Sequence, residues 1–424
     1  MEYKKIAEKG YNLHIIKNKK SKKIKIKINF KEKLTKENIV YRNMLSIILL
    51  ESNKFYKTKR LLDIKCEDLY YVAVNSQASF IGNYNILSFD TVFLNEIHTE
   101  KGLNNESIKF FFELITEPNI EYSEFNKETF KIAKTLLKED IESFNDFPNK
   151  VAFNSFHKSI LKGTNQDLVG VGYMEDLEKM TEKSLYKYYQ KIIKDNIIDI
   201  FVIGNFDSDE MEKTIKGNLK FNKNPKESES HFLKHTKTRK IVKKIVEEKD
   251  IQQSILLIGS KLLNITDFER LYVLSIYNMI LGGSPDSLLF KSVREKNSLC
   301  YSISSAYSAT SNIQIVNAGI DKSNFNKTVT LIKKEIKKME NGEFTEKQIE
   351  QAKTSYIEAL KEIEDTQSGM ISLYEGHTYL GFDLIKERAE KIKKVTKEDI
   401  IKVSKKMYMD TIYLLKGVKT NEEE

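Results

Sequence analysis

The residues best suited to binding chemistry in this chain lie in one stretch, "GGSPDSLLFKSVREKNSLCYSIS", residues 282–304. A glycine pair, Gly282 and Gly283, precedes an apolar-spaced helix, and Arg294 is followed seven residues later by Tyr301 in a strand-like run. Arginine carries five fixed N–H donors on a permanent charge, and tyrosine adds a neutral hydroxyl donor. The glycine pair is no phosphate-binding loop, because the Gly-Lys-Ser/Thr ending is missing. A simpler, structural interpretation exists for each residue. The glycine pair would be a helix-ending turn, Arg294 would form a surface ion pair with Glu295, and Tyr301 would be a core residue.

The other reactive residues form no complete catalytic or metal-binding centre. His231 and His235 have helical spacing, but they stand in a polar segment with no acid between them. His157 and His377 occupy matching places in the two halves of the chain, which favours a structural role in a helix. The 2 cysteines lie in no nucleophile motif and are predicted to be free thiols in a reducing compartment.

The composition is typical of a well-cored globular protein of two or three domains. The chain has 424 residues, of which 40% are apolar and only 4 are proline. The net charge of +9 comes from 70 Lys and Arg against 61 Asp and Glu, and both signs mix along the chain, as on solvated helix surfaces. The first residues lack a signal-peptide core, and no run reaches the roughly 18 apolar residues that span a bilayer. We therefore expect a cytoplasmic protein with no nucleic-acid or membrane partner.

An internal duplication runs along the chain. Three pieces recur in the same order: "EDLYYVAVNSQASF" from Glu67 is similar to "NSLCYSISSAYSAT" from Asn297, "FNKETFKIAKTLLKEDIESF" to "FTEKQIEQAKTSYIEALKEI", and "DIFVIG" to "YLLKG". Chance similarity between helical segments would not keep this order. The sequence therefore predicts two homologous copies of one domain.

Each copy follows the same predicted plan of strands and helices. The alternating strand "KIKIKINF" opens the first copy, with its isoleucines on one face and its lysines on a solvated or edge face; "SILLIGSKL" is its counterpart. Helices, a hairpin of two strands, further helices and a last strand follow. This order predicts an α+β fold of two tandem domains, each a mostly antiparallel sheet packed with helices. The domains are predicted at residues 1–217 and 241–424, with the polar, unpatterned residues 218–240 as a linker.

The second copy resembles the insulinase-like zinc metallopeptidases, the pitrilysin-type family that includes the mitochondrial processing peptidases, and its short two-domain bacterial members in particular. The matching residues are Gly282-Gly283, Leu289-Phe290, Arg294-Glu295-Lys296 and Leu299-Cys300-Tyr301. That family has glycines, Leu-Phe, Arg-Glu-Lys and Leu-Ala-Tyr there. The resemblance implies a half-shell in which Arg294 and Tyr301 hold a peptide across a cavity from zinc. It also implies that Gly282 and Gly283 line that cavity.

The first copy departs from this family at the metal site. Active members carry His-x-x-Glu-His, in which two histidines bind zinc and the glutamate activates the zinc-bound water. Aligning "ESNKFY" with the turn after that motif places Arg42, Leu45 and Ser46 at its positions, and Asp140 near the remaining ligand. Arginine repels zinc, leucine transfers no proton and serine is a poor ligand. We therefore expect no metal in this chain and zinc only in a catalytic partner.

Two hypotheses follow from the resemblance. In the first, the chain is a non-catalytic subunit that is inactive alone and supplies Arg294 and Tyr301 to a related zinc-bearing subunit, for cleavage of peptides or peptide precursors. If no such subunit exists, a second copy of this chain would pair with it. In the second, the chain is a scaffold or peptide-binding protein with no part in catalysis. A third hypothesis, that the chain binds nucleic acid, is supported by the net charge alone.

Overall fold

The computed structural model describes residues 2–223, 225–227 and 229–418. Its strands are β1 (Glu2–Ala7), β2 (Asn12–Lys17), β3 (Lys23–Lys33), β4 (Ala73–Ile81), β5 (Tyr84–Leu94), β6 (Ile120–Glu121), β7 (Glu124–Phe125), β8 (Ile197–Gly204), β9 (Lys243–Lys249), β10 (Ser254–Leu262), β11 (Cys300–Ser308), β12 (Ile313–Ile320) and β13 (Met407–Gly417). Its α-helices are α1 (Lys36–Ile48), α2 (Lys59–Asp68), α3 (Leu103–Thr116), α4 (Lys127–Ser143), α5 (Pro148–Ile160), α6 (Met174–Glu178), α7 (Glu182–Asp195), α8 (Ser208–Asn218), α9 (Leu274–Leu281), α10 (Phe325–Asn341), α11 (Glu346–Glu362), α12 (Gln367–Leu380), α13 (Ile385–Lys393) and α14 (Lys397–Ser404). The predicted α+β class is confirmed.

The first compact unit comprises Met1–Ser143, Leu168–Ser230 and Gln367–Ser372. Its six-stranded sheet has the order β1-β2-β8-β3-β5-β4, in which β2 and β8 pair in parallel and the other pairs are antiparallel. A capping box starts α1, because the side chains of Thr35 and Asn38 each accept a hydrogen bond from the other's backbone N–H. The same helix packs its apolar face on β4 and β5.

The opening strand of the predicted plan, β3, is a central strand. It lies between β8 and β5, so both of its edges are hydrogen-bonded to a neighbouring strand. The prediction that the lysines of this strand lie on a solvated or edge face is therefore wrong at Lys31. This residue is 1% exposed and forms an ion pair with Glu227. Lys25 on the same face pairs with Asp90 at 3.0 Å.

The second compact unit comprises Phe144–Asp167, His231–Thr366 and Leu373–Glu424. Its five-stranded sheet has the order β11-β12-β10-β13-β9, in which β13 and β9 pair in parallel. Helix α5 packs on β10 and β13 through Phe156 and Ile160. Gly259 on β10 allows this close approach, since a Cβ there would lie 2.3 Å from the Phe156 ring.

The two sheets repeat one topology, in which β2-β8-β3-β5-β4 corresponds to β9-β13-β10-β12-β11. Strands β1, β2 and β9 were not among the predicted elements. Residues 144–167 belong to the second compact unit, although the predicted boundaries include them in the first domain. Leu219 and Phe221 of the predicted linker are buried in the core of the first unit. The boundaries at 217 and 241 stay a prediction about the duplicated sequence.

Candidate functional site

The positions aligned with the zinc motif lie on α1, and the first of them is the centre of a buried polar network. Arg42 is fully buried. Its Nη1 donates to the Phe30 carbonyl at 2.6 Å, and its Nε lies 3.2 Å from both Glu32 Oε1 and the Tyr188 hydroxyl. Nη2 donates to Asn196 Oδ1. The guanidinium is thus paired and hydrogen-bonded, as a buried cation must be.

The electrostatics of this network are those of a neutralised ion pair. Burial acts to raise the pKa of the Glu32 carboxyl, but the charge of Arg42 and the hydrogen bond from Tyr188 outweigh it, so the pKa is lowered. Burial raises the pKa of the Tyr188 hydroxyl, which keeps it a neutral donor. Lys191 adds a peripheral charge, 3.4 Å from Glu32 Oε2. The sequence analysis did not find Glu32 or Tyr188.

The remaining motif positions do not converge on a metal. Leu45 is a core residue, and Ser46 Oγ donates to the Asn43 carbonyl at 2.8 Å. Asp140 is exposed on α4. Within the described residues, no group of three or more His, Cys, Asp or Glu side chains is arranged to hold a metal ion. This donor set does not fit zinc.

Arg294 lies on an irregular helix of the second unit. Residues Phe290–Lys296 form a π-helical segment, a geometry that is frequent at functional sites. The guanidinium is exposed, and its Cζ lies 4.7 Å from the centre of the Phe290 ring. No described carboxylate pairs with it, so the alternative of an ion pair with Glu295 is wrong. Burial raises the pKa of the Cys300 thiol at the start of β11, and the charge of Arg294 opposes this.

Tyr301 lies in a β-bulge on the edge strand β11. Cys300 pairs with Ile320 and Ser302 with Gly319, so Tyr301 is the extra residue. Its side chain is 66% exposed, which makes the alternative of a core tyrosine wrong. Bulges turn a side chain away from the regular alternation and occur often beside functional sites. Neither member of the Arg294–Tyr301 pair is used to fill the core.

The glycine pair packs the end of α9 against β11. The Gly282 carbonyl accepts a hydrogen bond from the Ser305 N–H at 3.0 Å, and Gly282 N and Gly283 N both donate to the Asn278 carbonyl. A Cβ on Gly282 would lie 2.8 Å from Ser305 N. Ser284, Pro285 and other residues after the pair line a cleft of about 430 Å³. The pair therefore ends the helix, and the chain beyond it borders a cleft.

Comparison with known proteins confirms the predicted resemblance to the insulinase-like zinc metallopeptidases, the M16 peptidases. Residues 179–356 match the family described as "Peptidase M16 inactive domain". The chain is 27% identical over 417 residues to the "Probable inactive metalloprotease YmfF" of Bacillus subtilis (strain 168), covering 96% of both chains.

Solved structures show the same fold over the whole chain. A conserved protein from Enterococcus faecalis V583 has a TM-score of 0.89 and 26% identity, covering 99% of this chain and 100% of that one. A peptidase M16 inactive domain from Pseudomonas fluorescens has a TM-score of 0.76 at 14% identity, covering 100% and 99%. In the described part of this chain, none of the helices has both the length and the apolar character needed to cross a bilayer.

Proposed function

We propose that this chain is the non-catalytic subunit of a heterodimeric zinc peptidase. One contrast carries the proposal: Arg42 fills the metal-motif position as a buried structural cation, whereas Arg294 and Tyr301 stay exposed and unused by the fold. A chain that kept only the fold would have no need of an exposed arginine without an ion-pair partner on a π-helical segment, or of an exposed tyrosine in a bulge of the following strand. The relative named a probable inactive metalloprotease is consistent with a non-catalytic role.

In this proposal the catalytic partner is a related chain that carries His-x-x-Glu-His and zinc. Arg294 and Tyr301 hold the backbone of a peptide, or the oxyanion that develops during its cleavage, opposite that metal. Arginine stays charged throughout, so it neutralises growing negative charge without moving a proton. The substrates are peptides or peptide precursors, and the complex works in the cytoplasm. If no related zinc-bearing chain is encoded, the chain pairs with a second copy of itself instead, and that pair lacks the zinc motif.

The test is steady-state peptide cleavage by the chain reconstituted with a relative that carries the zinc motif. Removing one preorganised donor lowers turnover by roughly a hundredfold or more, so Arg294→Ala and Tyr301→Phe should each cause such a loss. Arg60→Ala and Tyr122→Phe are matched controls, because both residues are exposed and lie in the other unit. Thermal melting checks that each variant is folded. Full activity of both site variants would leave the alternative, a scaffold or peptide-binding protein with no part in catalysis.

One observation favours that alternative. The buried network around Arg42 holds α1 against β3 through hydrogen bonds and an ion pair, without a metal. Such a replacement serves a chain whose fold is useful without the chemistry. The cleavage assay separates the two functions, because a scaffold tolerates both substitutions.

A further inference from the structure

The two copies differ at one edge of their sheets. In the first unit, β2 pairs with β8 on one side and with β1 on the other, from Glu2 opposite Lys17 to Ala7 opposite Asn12. In the second unit the corresponding strand, β9, pairs with β13 in the same parallel sense. No described strand pairs with its other side, and the sheet has five strands where its counterpart has six. The second sheet therefore has room for one added strand.

This open edge borders a basic groove. The groove has a volume of about 560 Å³ and runs between β9 and the C-terminal part of α5. Lys158 and Lys162 line it from the side of α5, and Lys243 and Lys244 line it from β9. None of the four ammonium groups forms an ion pair with a described carboxylate. Four lysines thus line the groove together with one carboxylate, that of Glu247.

Glu247 is the one acid among the residues that line the groove, and its neighbour Glu248 forms an ion pair. Glu247 accepts a hydrogen bond from the Tyr413 hydroxyl at 2.6 Å, and Glu248 pairs with Lys416 at 2.7 Å. Ile245 and Val246 give the groove an apolar strip beside the lysines. Val246 is 54% exposed, although β-branched residues favour a covered sheet surface. The groove thus combines an open strand edge, apolar residues and an excess of positive charge.

We propose that β9 binds an extended, acidic segment of a partner protein, which adds to the second sheet as its sixth strand. Backbone hydrogen bonds to the free edge would hold the segment, and its carboxylates would pair with the four lysines. The phosphates of a nucleic acid could pair with the lysines, but a nucleic acid cannot form the backbone hydrogen bonds of an added β-strand. A second copy of this chain that pairs β9 with β9 is a separate outcome, which the test below distinguishes. This site goes beyond the proposed function and needs neither zinc nor Arg294.

The test is fluorescence anisotropy of labelled peptides with the full chain. The probe is a twelve-residue peptide of alternating Glu and Val; its controls are the same peptide with Lys for Glu, the same peptide with every Val replaced by Pro, and a single-stranded DNA of twelve nucleotides. We expect the chain to bind the Glu-Val peptide and none of the three controls. The doubly substituted chain with Lys158→Glu and Lys243→Glu should bind it at least about tenfold more weakly. The matched control is Lys327→Glu with Lys333→Glu, two exposed lysines of the same unit, and it should bind as the parent does.

Four outcomes overturn the proposal. Equal binding of the proline-containing peptide would exclude strand addition, because proline donates no backbone hydrogen bond. DNA binding that the Lys158→Glu and Lys243→Glu substitutions abolish would mean a nucleic-acid site. Dimers in sedimentation experiments that the same substitutions dissociate would mean that a second copy covers the edge. If the parent chain binds no peptide, or if the doubly substituted chain melts normally and binds it as the parent does, the groove is ordinary solvated surface.

Discussion

Arg42 and Glu32 form an ion pair in which Nε and Oε1 are 3.2 Å apart, with the arginine side chain 0% and the glutamate side chain 14% exposed. Arg42 stands at the position of α1 that the sequence analysis predicts to match the first zinc-binding histidine of active relatives. A metal ion and a guanidinium are both cations, and each needs acceptors around it when buried. Here the Phe30 carbonyl, Asn196 and Glu32 supply them. The helix is thus held to the sheet without a metal.

Replacing Arg42 should strongly destabilise the fold. Arg42→Met leaves the Glu32 carboxylate buried without its main partner, and breaking a buried pair in this way costs about 3–5 kcal/mol of unfolding free energy. Lys191→Met is the matched control, because it removes a side chain that is 56% exposed from the same carboxylate. The control should change stability by about 0–1 kcal/mol. Urea unfolding followed by circular dichroism measures both. Equal, small losses would show that the network contributes little.

The same carboxylate should make stability depend on pH. The pKa of Glu32 is lowered in the folded protein, so its contribution is fully present above the unfolded glutamate pKa of about 4.3 and is lost as the pH falls through the folded value. The parent should therefore be more stable than Glu32→Gln at pH 7, and the difference should shrink in acid below about pH 4. Melting temperatures at several pH values test this. Asp140→Asn, at an exposed position, should leave the profile unchanged; a difference for Glu32→Gln that persists in acid would contradict the assignment.

The sequence predicts the fold better than it predicts the sites, for physical reasons. Periodic runs such as "SILLIGSKL" predict their strands because burial imposes the pattern. Strand β9 escaped prediction because most of its residues are exposed, so burial imposes no alternation. The network of Arg42 joins Glu32 to Tyr188, which stand 156 positions apart, and no local pattern reports such a contact. The bulge at Tyr301 depends on the register with β12, which only the folded sheet fixes.

The isolated chain should bind no stoichiometric zinc and cleave no peptide. Arg42 and Leu45 offer no metal-binding atoms, and the exposed Asp140 has no partner ligands near it. Elemental analysis after dialysis against zinc and then buffer tests the first part, and a peptide-cleavage assay with and without chelator tests the second. One tightly held zinc per chain that Asp140→Ala removes would contradict the expectation. Chelator-sensitive cleavage by the chain alone would do the same.

The last prediction concerns Gly282, whose position against β11 decides whether the glycine pair is a packed helix end or a flexible turn. A methyl group there would approach both Ser305 N and Ser305 Oγ to 2.8 Å, and the backbone N–H cannot move without breaking its bond to the Gly282 carbonyl. Gly282→Ala should therefore cost about 1–3 kcal/mol of unfolding free energy, as overpacking does. Gly217→Ala is the matched control, because a Cβ there meets nothing within 4 Å and the residue lies inside α8. Alanine in a helix should stabilise the protein by about 0.5–1 kcal/mol. Urea unfolding measures both variants. If the helix end is packed, the two substitutions change the unfolding free energy in opposite directions. If Gly282→Ala leaves the unfolding free energy unchanged, the glycine pair is a flexible turn.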